Sequence, residues 1–237
     1  MTTTRHIILD TETTGISPKK GHRIIEIGCI EMVNRQTTKE IFHCYLNPER
    51  DVDQGAVEVH GLTNEFLSDK GFFKDVVKDF LSFVQGADLV IHNAPFDIGF
   101  LDAELQRLGP QFGRMKDYCT VTDTLAIARK KHPGQPNSLD ALCRRYHVEN
   151  SHRELHGALL DSELLAQVYL HLTGGQGNLS FAASEKKQAG TQTQAKKNTQ
   201  YDIPIVLPNS EELIQHKEHM ATIDSADVNL WPEWEDA

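Results

Sequence analysis

The stretch His6-Ile7-Ile8-Leu9-Asp10-Thr11-Glu12-Thr13-Thr14-Gly15 sets the tightest limits on what this chain can become. An apolar run of β type ends in two acids two positions apart, and a polar turn with glycine follows. Successive side chains of a strand point to opposite faces, so Asp10 and Glu12 project from the same one. Two carboxylates held side by side repel each other unless a cation lies between them, and hard oxygen ligands suit Mg²⁺ or Mn²⁺. The same pair also occurs at solvated strand ends of acidic proteins. Downstream features decide between the two readings.

The segments Arg23–Val33 and Ile41–Leu46 read as two further strands, with 34–38 as the hairpin connection, so the sheet opens antiparallel. Asn47-Pro48-Glu49 breaks the pattern and a long loop follows, carrying Val59-His60-Gly61-Leu62-Thr63. His60 reads either as an ordinary loop histidine or as a substrate contact. Apolar residues at 73, 76, 77, 80, 81 and 84 have helical spacing, and Asp88–His92 reads as a short buried strand.

Asn93 caps the next helix, which tolerates Pro95 in its first turn and runs to Leu108. Asp97 in that first turn either complements the helix dipole or supplies a third carboxylate to the site. The pattern predicts helices over Thr122–Lys130, with Asp123 serving its start, and from the cap Ser138 to Tyr146. A last helix follows His156-Gly157, with a buried stripe at 160, 164, 165, 168, 169 and 172. Asp161 lies beside that stripe, and buried acids are rare unless paired or metal-bound. His156 lies where the chain can fold back over the same site.

The character of the chain changes after Gly174-Gly175. Residues 182–200 are Ala, Ser, Lys, Gln, Thr, Gly and Asn with a single Glu185 and no apolar period, which describes a flexible linker. A random coil of that length spans about 24 Å. Beyond it, 201–237 returns apolar residues (Ile203 to Pro208, Leu213, Ile214, Leu230, Trp231, Trp234) in a piece too short to build a core, as in a docking peptide. The formal net charge of −10 excludes a free-standing basic nucleic-acid binder. No signal core or membrane span is apparent, and the four cysteines lack a Cys-x-x-Cys pair, so the expectation is a cytoplasmic protein with reduced packing thiols and no membrane partner.

Asp10, Glu12, Asp97 and Asp161 would balance two divalent cations clamping a phosphodiester, and a histidine such as His156 is suited to take the proton of the attacking water. No serine or cysteine has a paired base, which disfavours covalent catalysis.

Asp-x-Glu at 10–12, Asn-Ala-Pro-Phe-Asp at 93–97 and His-x-x-x-x-Asp at 156–161 resemble the three motifs of the DEDD exonuclease superfamily, in its histidine-containing branch. The likeness spans nearly all of 5–175, including Ile-Ile-Glu-Ile-Gly, Asn-Ser-Leu-Asp-Ala-Leu-Cys and Leu-His-Gly-Ala-Leu-Leu-Asp. It implies a ribonuclease-H-like α/β fold, a mixed sheet flanked by helices, in an exonuclease domain over 1–175. It implies 3′→5′ removal of mispaired nucleotides from a DNA primer end, with Asp10, Glu12, Asp97 and Asp161 as ligands of two Mg²⁺ or Mn²⁺ ions and His156 as general base. Thr13 and His60, with Asp10, Glu12 and Asp161, resemble the family's contacts to the terminal nucleotide.

Gln176-Gly177-Asn178-Leu179-Ser180-Phe181 resembles a sliding-clamp-binding motif in which Gln176, Leu179 and Phe181 make the contacts. The tail past 201 resembles a tether to the alpha subunit of bacterial DNA polymerase III, and a further small accessory subunit fits the same assembly. A stand-alone or RNA-trimming exonuclease of the branch would share the site residues, and a silent scaffold between clamp and polymerase would keep the tail without needing them. A magnesium phosphatase with an aspartyl nucleophile leaves Asp97 and the 156–161 motif unexplained.

Overall fold

Strand β1 (Arg5–Thr13) is the middle of a five-stranded sheet of order β3-β2-β1-β4-β5. The computed structural model describes residues 4–150, 155–174 and 208–224. On one side of β1, antiparallel β2 (Ile24–Val33) sets Gly28 opposite Asp10 and Glu26 opposite Glu12. Antiparallel β3 (Gln36–Tyr45) follows through a hairpin. On the other side, β4 (Asp88–Ile91) and β5 (Thr120–Asp123) run parallel to β1.

The hairpin connection is shorter than the sequence suggests. Asn34 and Arg35 both adopt left-handed backbone (φ 49° and 67°), as a two-residue turn of type I′ requires, and the strand resumes at Gln36. The long loop after Asn47 also differs, since it contains helices α1 (Gln54–His60) and α2 (Asn64–Leu67). His60 is therefore the last residue of a helix and is buried, rather than lying on an open loop.

Helix α3 (Phe73–Val84) buries Phe73, Val77, Phe80, Leu81 and Val84, the stripe its spacing predicts. Helix α4 (Ala94–Leu108) ends where expected, but Asn93 does not cap it with its side chain. Its backbone is left-handed (φ 68°), and its N–H donates to Asp123 Oδ1 at 3.1 Å. Strand β5 occupies Thr120–Asp123, which displaces the start of α5 (Thr124–Lys131) from the expected Thr122. Asp123 serves that start, accepting the Leu125 N–H at 2.9 Å. Ser138 caps α6 (Leu139–Tyr146) through the Ala141 N–H, and α7 (Ala158–Thr173) buries Leu164, Leu165, Val168, Tyr169 and Leu172.

The alternation of β1 decides which helix covers which face. Ile7 and Leu9 join Phe80, Phe100 and Leu105 of α3 and α4 in one core. Ile8 joins Leu165 and Tyr169 of α7 in another. Asp10 and Glu12 continue the α7 face, and Thr11 continues the α4 face.

The chain divides into two units, Met1–Ala182 and Ala183–Ala237. In the second, α8 (Ser210–Asp224) is a helix that the apolar count of the tail did not announce, and its Leu213 and Ile214 are exposed. The clamp-like residues Gln176, Leu179 and Phe181 and the stretch 182–200 lie outside the described residues. No described helix is long and apolar enough to cross a membrane.

Candidate active site

The site forms where α7 begins against the carboxyl end of β1. This close approach depends on Gly28, because a Cβ there would overlap the backbone of Ala158 and Leu159. Ser162 Oγ fastens the helix by donating to the Gly28 carbonyl at 2.9 Å. Since Gly28 is the cross-strand neighbour of Asp10, the first turn of α7 is delivered to the acid pair. Asp161 lies in that turn and is buried.

His156 Nδ1 lies 3.2 Å from Asp161 Oδ2, and its ring is partly exposed. The His156 N–H donates to the Val59 carbonyl at 3.1 Å, tying this segment to α1. Ligand atoms of Glu12, His156 and Asp161 lie within 4.8 Å of one another. Asp10 shares the face of Glu12, but neither it nor Asp97 belongs to that close group.

Asp97 arrives from the other face. Thr11 Oγ1 donates to Asp97 Oδ1 at 2.7 Å, spanning from β1 to the first turn of α4. Burial pushes the Asp97 carboxyl up to about 7, against the opposing Thr11 hydrogen bond and backbone amides, with Asp123 adding repulsion. His60 is buried at the end of α1, its Nδ1 accepting the Leu62 N–H at 3.0 Å, while its Nε2 has no hydrogen-bond partner among the described residues. Burial lowers its pKa, the Thr13 carbonyl opposes this, and nearby His156 adds to the lowering. The Thr13 hydroxyl donates to the Gly15 carbonyl at 2.7 Å.

This donor set fits divalent cations. A group of two carboxylates and an imidazole converges within 4.8 Å, on the strand face that Asp10 shares. Asp97 is a buried carboxylate whose hydrogen bonds, among the described residues, come from a hydroxyl and amides, so a bound cation would relieve the cost of ionising it.

A family model described as exonuclease matches residues 7–169. The DNA polymerase III epsilon subunit of Salmonella typhimurium is 48% identical over 224 residues, covering 92% of each chain. That of Escherichia coli is 48% identical over 221 residues, covering 90% of this chain and 91% of its own. The chain belongs to the exonuclease family of DNA polymerase III epsilon subunits. Among solved structures, exonuclease X in complex with 5′-overhanging duplex DNA superposes with a TM-score of 0.58 at 23% identity, covering 73% of this chain and 93% of that one, a likeness of fold.

In this exonuclease two residues next to the site were not legible as such. Thr11 lies between the two acids, and the alternation that sends them toward α7 sends its hydroxyl toward Asp97. That alternation was the signal available. Glu26 is buried opposite Glu12, and its Oε1 lies 2.8 Å from His43 Nε2, which draws this additional acid toward β3. Only the pairing register reveals it.

Proposed function

We propose that this chain is the 3′→5′ proofreading exonuclease of a bacterial DNA polymerase III, hydrolysing mispaired 3′-terminal nucleotides from primer DNA in the cytoplasm. The observation that carries the reading is the convergence of Glu12, His156 and Asp161 within 4.8 Å. Asp10, Glu12, Asp97 and Asp161 would hold two divalent ions, Mg²⁺ or Mn²⁺, which when bound lower the pKa of water and neutralise charge on the phosphodiester. His156 takes the proton of the attacking water. With Nδ1 toward Asp161, its Nε2 is the accepting nitrogen, and Asp161 steadies the imidazolium that forms. Thr11 orients Asp97. His60 and Thr13 line the place of the departing nucleotide, where His60, depressed in pKa, stays neutral beside His156.

The 201–237 tail tethers the domain 1–175 to the polymerase alpha subunit through the linker 182–200. Gln176, Leu179 and Phe181 engage the sliding clamp, and a small accessory subunit completes the assembly. That the relatives at 48% identity are subunits of DNA polymerase III supports the polymerase association.

The test is stepwise hydrolysis of a 5′-labelled primer–template, matched or mismatched at its 3′ end, with Mg²⁺, EDTA and His156→Ala arms and a parallel RNA strand. Shortening from the 3′ end, faster on mispaired DNA, slow on RNA and abolished by EDTA, is expected. His156→Ala should lose at least about 100-fold. A preference for RNA, or full activity in either control, refutes the assignment.

A further inference from the structure

A polar cavity of about 660 Å³ opens at the carboxyl ends of β4 and β5. His92 and Asn93 leave β4 into it, Arg129 comes from α5, and Gln135, Asn137 and Ser138 come from the loop before α6. None of its lining residues is a carboxylate, whereas each of the four other cavities described has one, among them Asp102, Glu31, Glu163 and Asp88. On a chain of net charge −10 such a wall is unusual. Two acids flank the lining in sequence: Asp123 accepts two backbone N–H groups, from Asn93 and Leu125, and Asp140 accepts from Asn150 Nδ2 at 3.4 Å. Arg129 is exposed and makes no ion pair among the described residues. Of the remaining lining, the Asn137 amide donates to the His132 and Gln135 carbonyls, while Asn93, Gln135 and Ser138 carry neutral amide and hydroxyl donors suited to phosphate oxygens.

Its place in the sheet gives the cavity a role. Strand β4 pairs β1 in parallel, Ile8 beside Val90, so Asn93 begins the turn to α4 at the end of the sheet where Asp10 and Glu12 stand. Clefts outside the carboxyl ends of parallel strands are the usual ligand sites of such sheets. Asp97 lies four residues beyond Asn93. The group of Glu12, His156 and Asp161 lies on the β2 and α7 side of β1, where α1 brings His60 and binds the His156 backbone. An enzyme that removes one terminal nucleotide needs a small closed subsite for it and an open path for the rest of the strand. On the reading above, α1 with His60 would bound the first.

We propose that the cavity around Arg129 is the second: it binds the phosphodiester backbone of the single strand upstream of the scissile bond, with Arg129 gripping a phosphate. This rests on the exonuclease reading above and names the path of its substrate. Burial lowers the pKa of His92, the Asn137 backbone and Asp123 oppose this, and Arg129 adds to the lowering.

The test compares full-length wild type, Arg129→Ala and Lys130→Ala on two substrates with Mg²⁺. One is a single-stranded oligodeoxynucleotide, the other the p-nitrophenyl ester of thymidine 5′-monophosphate, which has no upstream strand. Arg129→Ala should lower kcat/KM about tenfold more on the oligonucleotide than on the ester, mainly through KM. It should reduce the slope of log KM against log salt by about 0.7, the share of one single-strand phosphate. Lys130→Ala, exposed on the same helix but outside the cavity, should change neither substrate more than twofold. Equal losses on both substrates, or no loss on the oligonucleotide, overturn the proposal. Wild type inactive on both overturns the exonuclease reading instead.

Discussion

Asp97 bears the sharpest electrostatic conflict in the site, a carboxylate only 3% exposed whose pKa burial pushes up to about 7. A folded-state value above the unfolded one means that the native state binds the extra proton. The stability this group contributes is thus fully present below about pH 4 and is lost as pH rises through about 7. In EDTA, Asp97→Asn should therefore match wild type near pH 4 and melt higher at pH 8, as followed by circular dichroism. Adding Mg²⁺ at pH 8 should raise the melting temperature of wild type more than that of Asp97→Asn, since only an ionised acid binds the cation tightly and a ligand of the native state stabilises it by mass action. An Asn variant no more stable than wild type in EDTA at pH 8 would contradict the burial argument. Thr11 belongs to the same balance, for its hydroxyl is one of the few donors offered to the ionised form.

Between elements, the critical dimension is the distance from β2 to α7. Gly28 lets the start of α7 rest on the strand beside Asp10, so Gly28→Ala must push out the turn that carries Asp161. We expect a loss of about 1–3 kcal/mol in urea unfolding, the range for overpacking, together with a fall in exonuclease activity of at least about 100-fold as the ligand geometry opens. A variant that keeps wild-type activity would show that α7 does not need this seat. The residues of the seat were only partly legible in the sequence. Asp10 and Glu12 could be paired from the period of two, and Asp161 from the stripe of α7, because regular elements print their period on the chain. The Gly28 contact could not, since it joins positions brought together only by tertiary packing. Short elements escaped for a related reason: β5 has four residues with no clear alternation, and α1 has seven with His60 its buried end. Asn93 misled because a residue suited to capping took a left-handed turn instead, its N–H bonded to Asp123.

Taken whole, the molecule is an acidic enzyme for an acidic substrate, and neither of its two units is basic. Residues 182–237 hold 5 basic and 10 acidic side chains. Attraction to DNA must therefore come from bound cations, from local features such as Arg129, and from partners that hold the primer end nearby. A tail that tethers the domain, as proposed above, would supply the last of these by raising local concentration without any new contact with DNA. The helix α8 offers a concrete docking element, with Leu213 46% and Ile214 58% exposed, apolar surface that a partner could cover. Deleting 201–237 should leave hydrolysis of short single strands within about twofold of wild type, because the site lies wholly in the first unit. The same deletion should abolish co-elution with the polymerase alpha subunit in gel filtration, and Leu213→Asp with Ile214→Asp should weaken it at least about tenfold, since placing two charges in an apolar contact costs well over 1.4 kcal/mol. Co-elution that survives the deletion would move the polymerase contact onto the exonuclease domain, because only the first of the two units would then remain whole to make it.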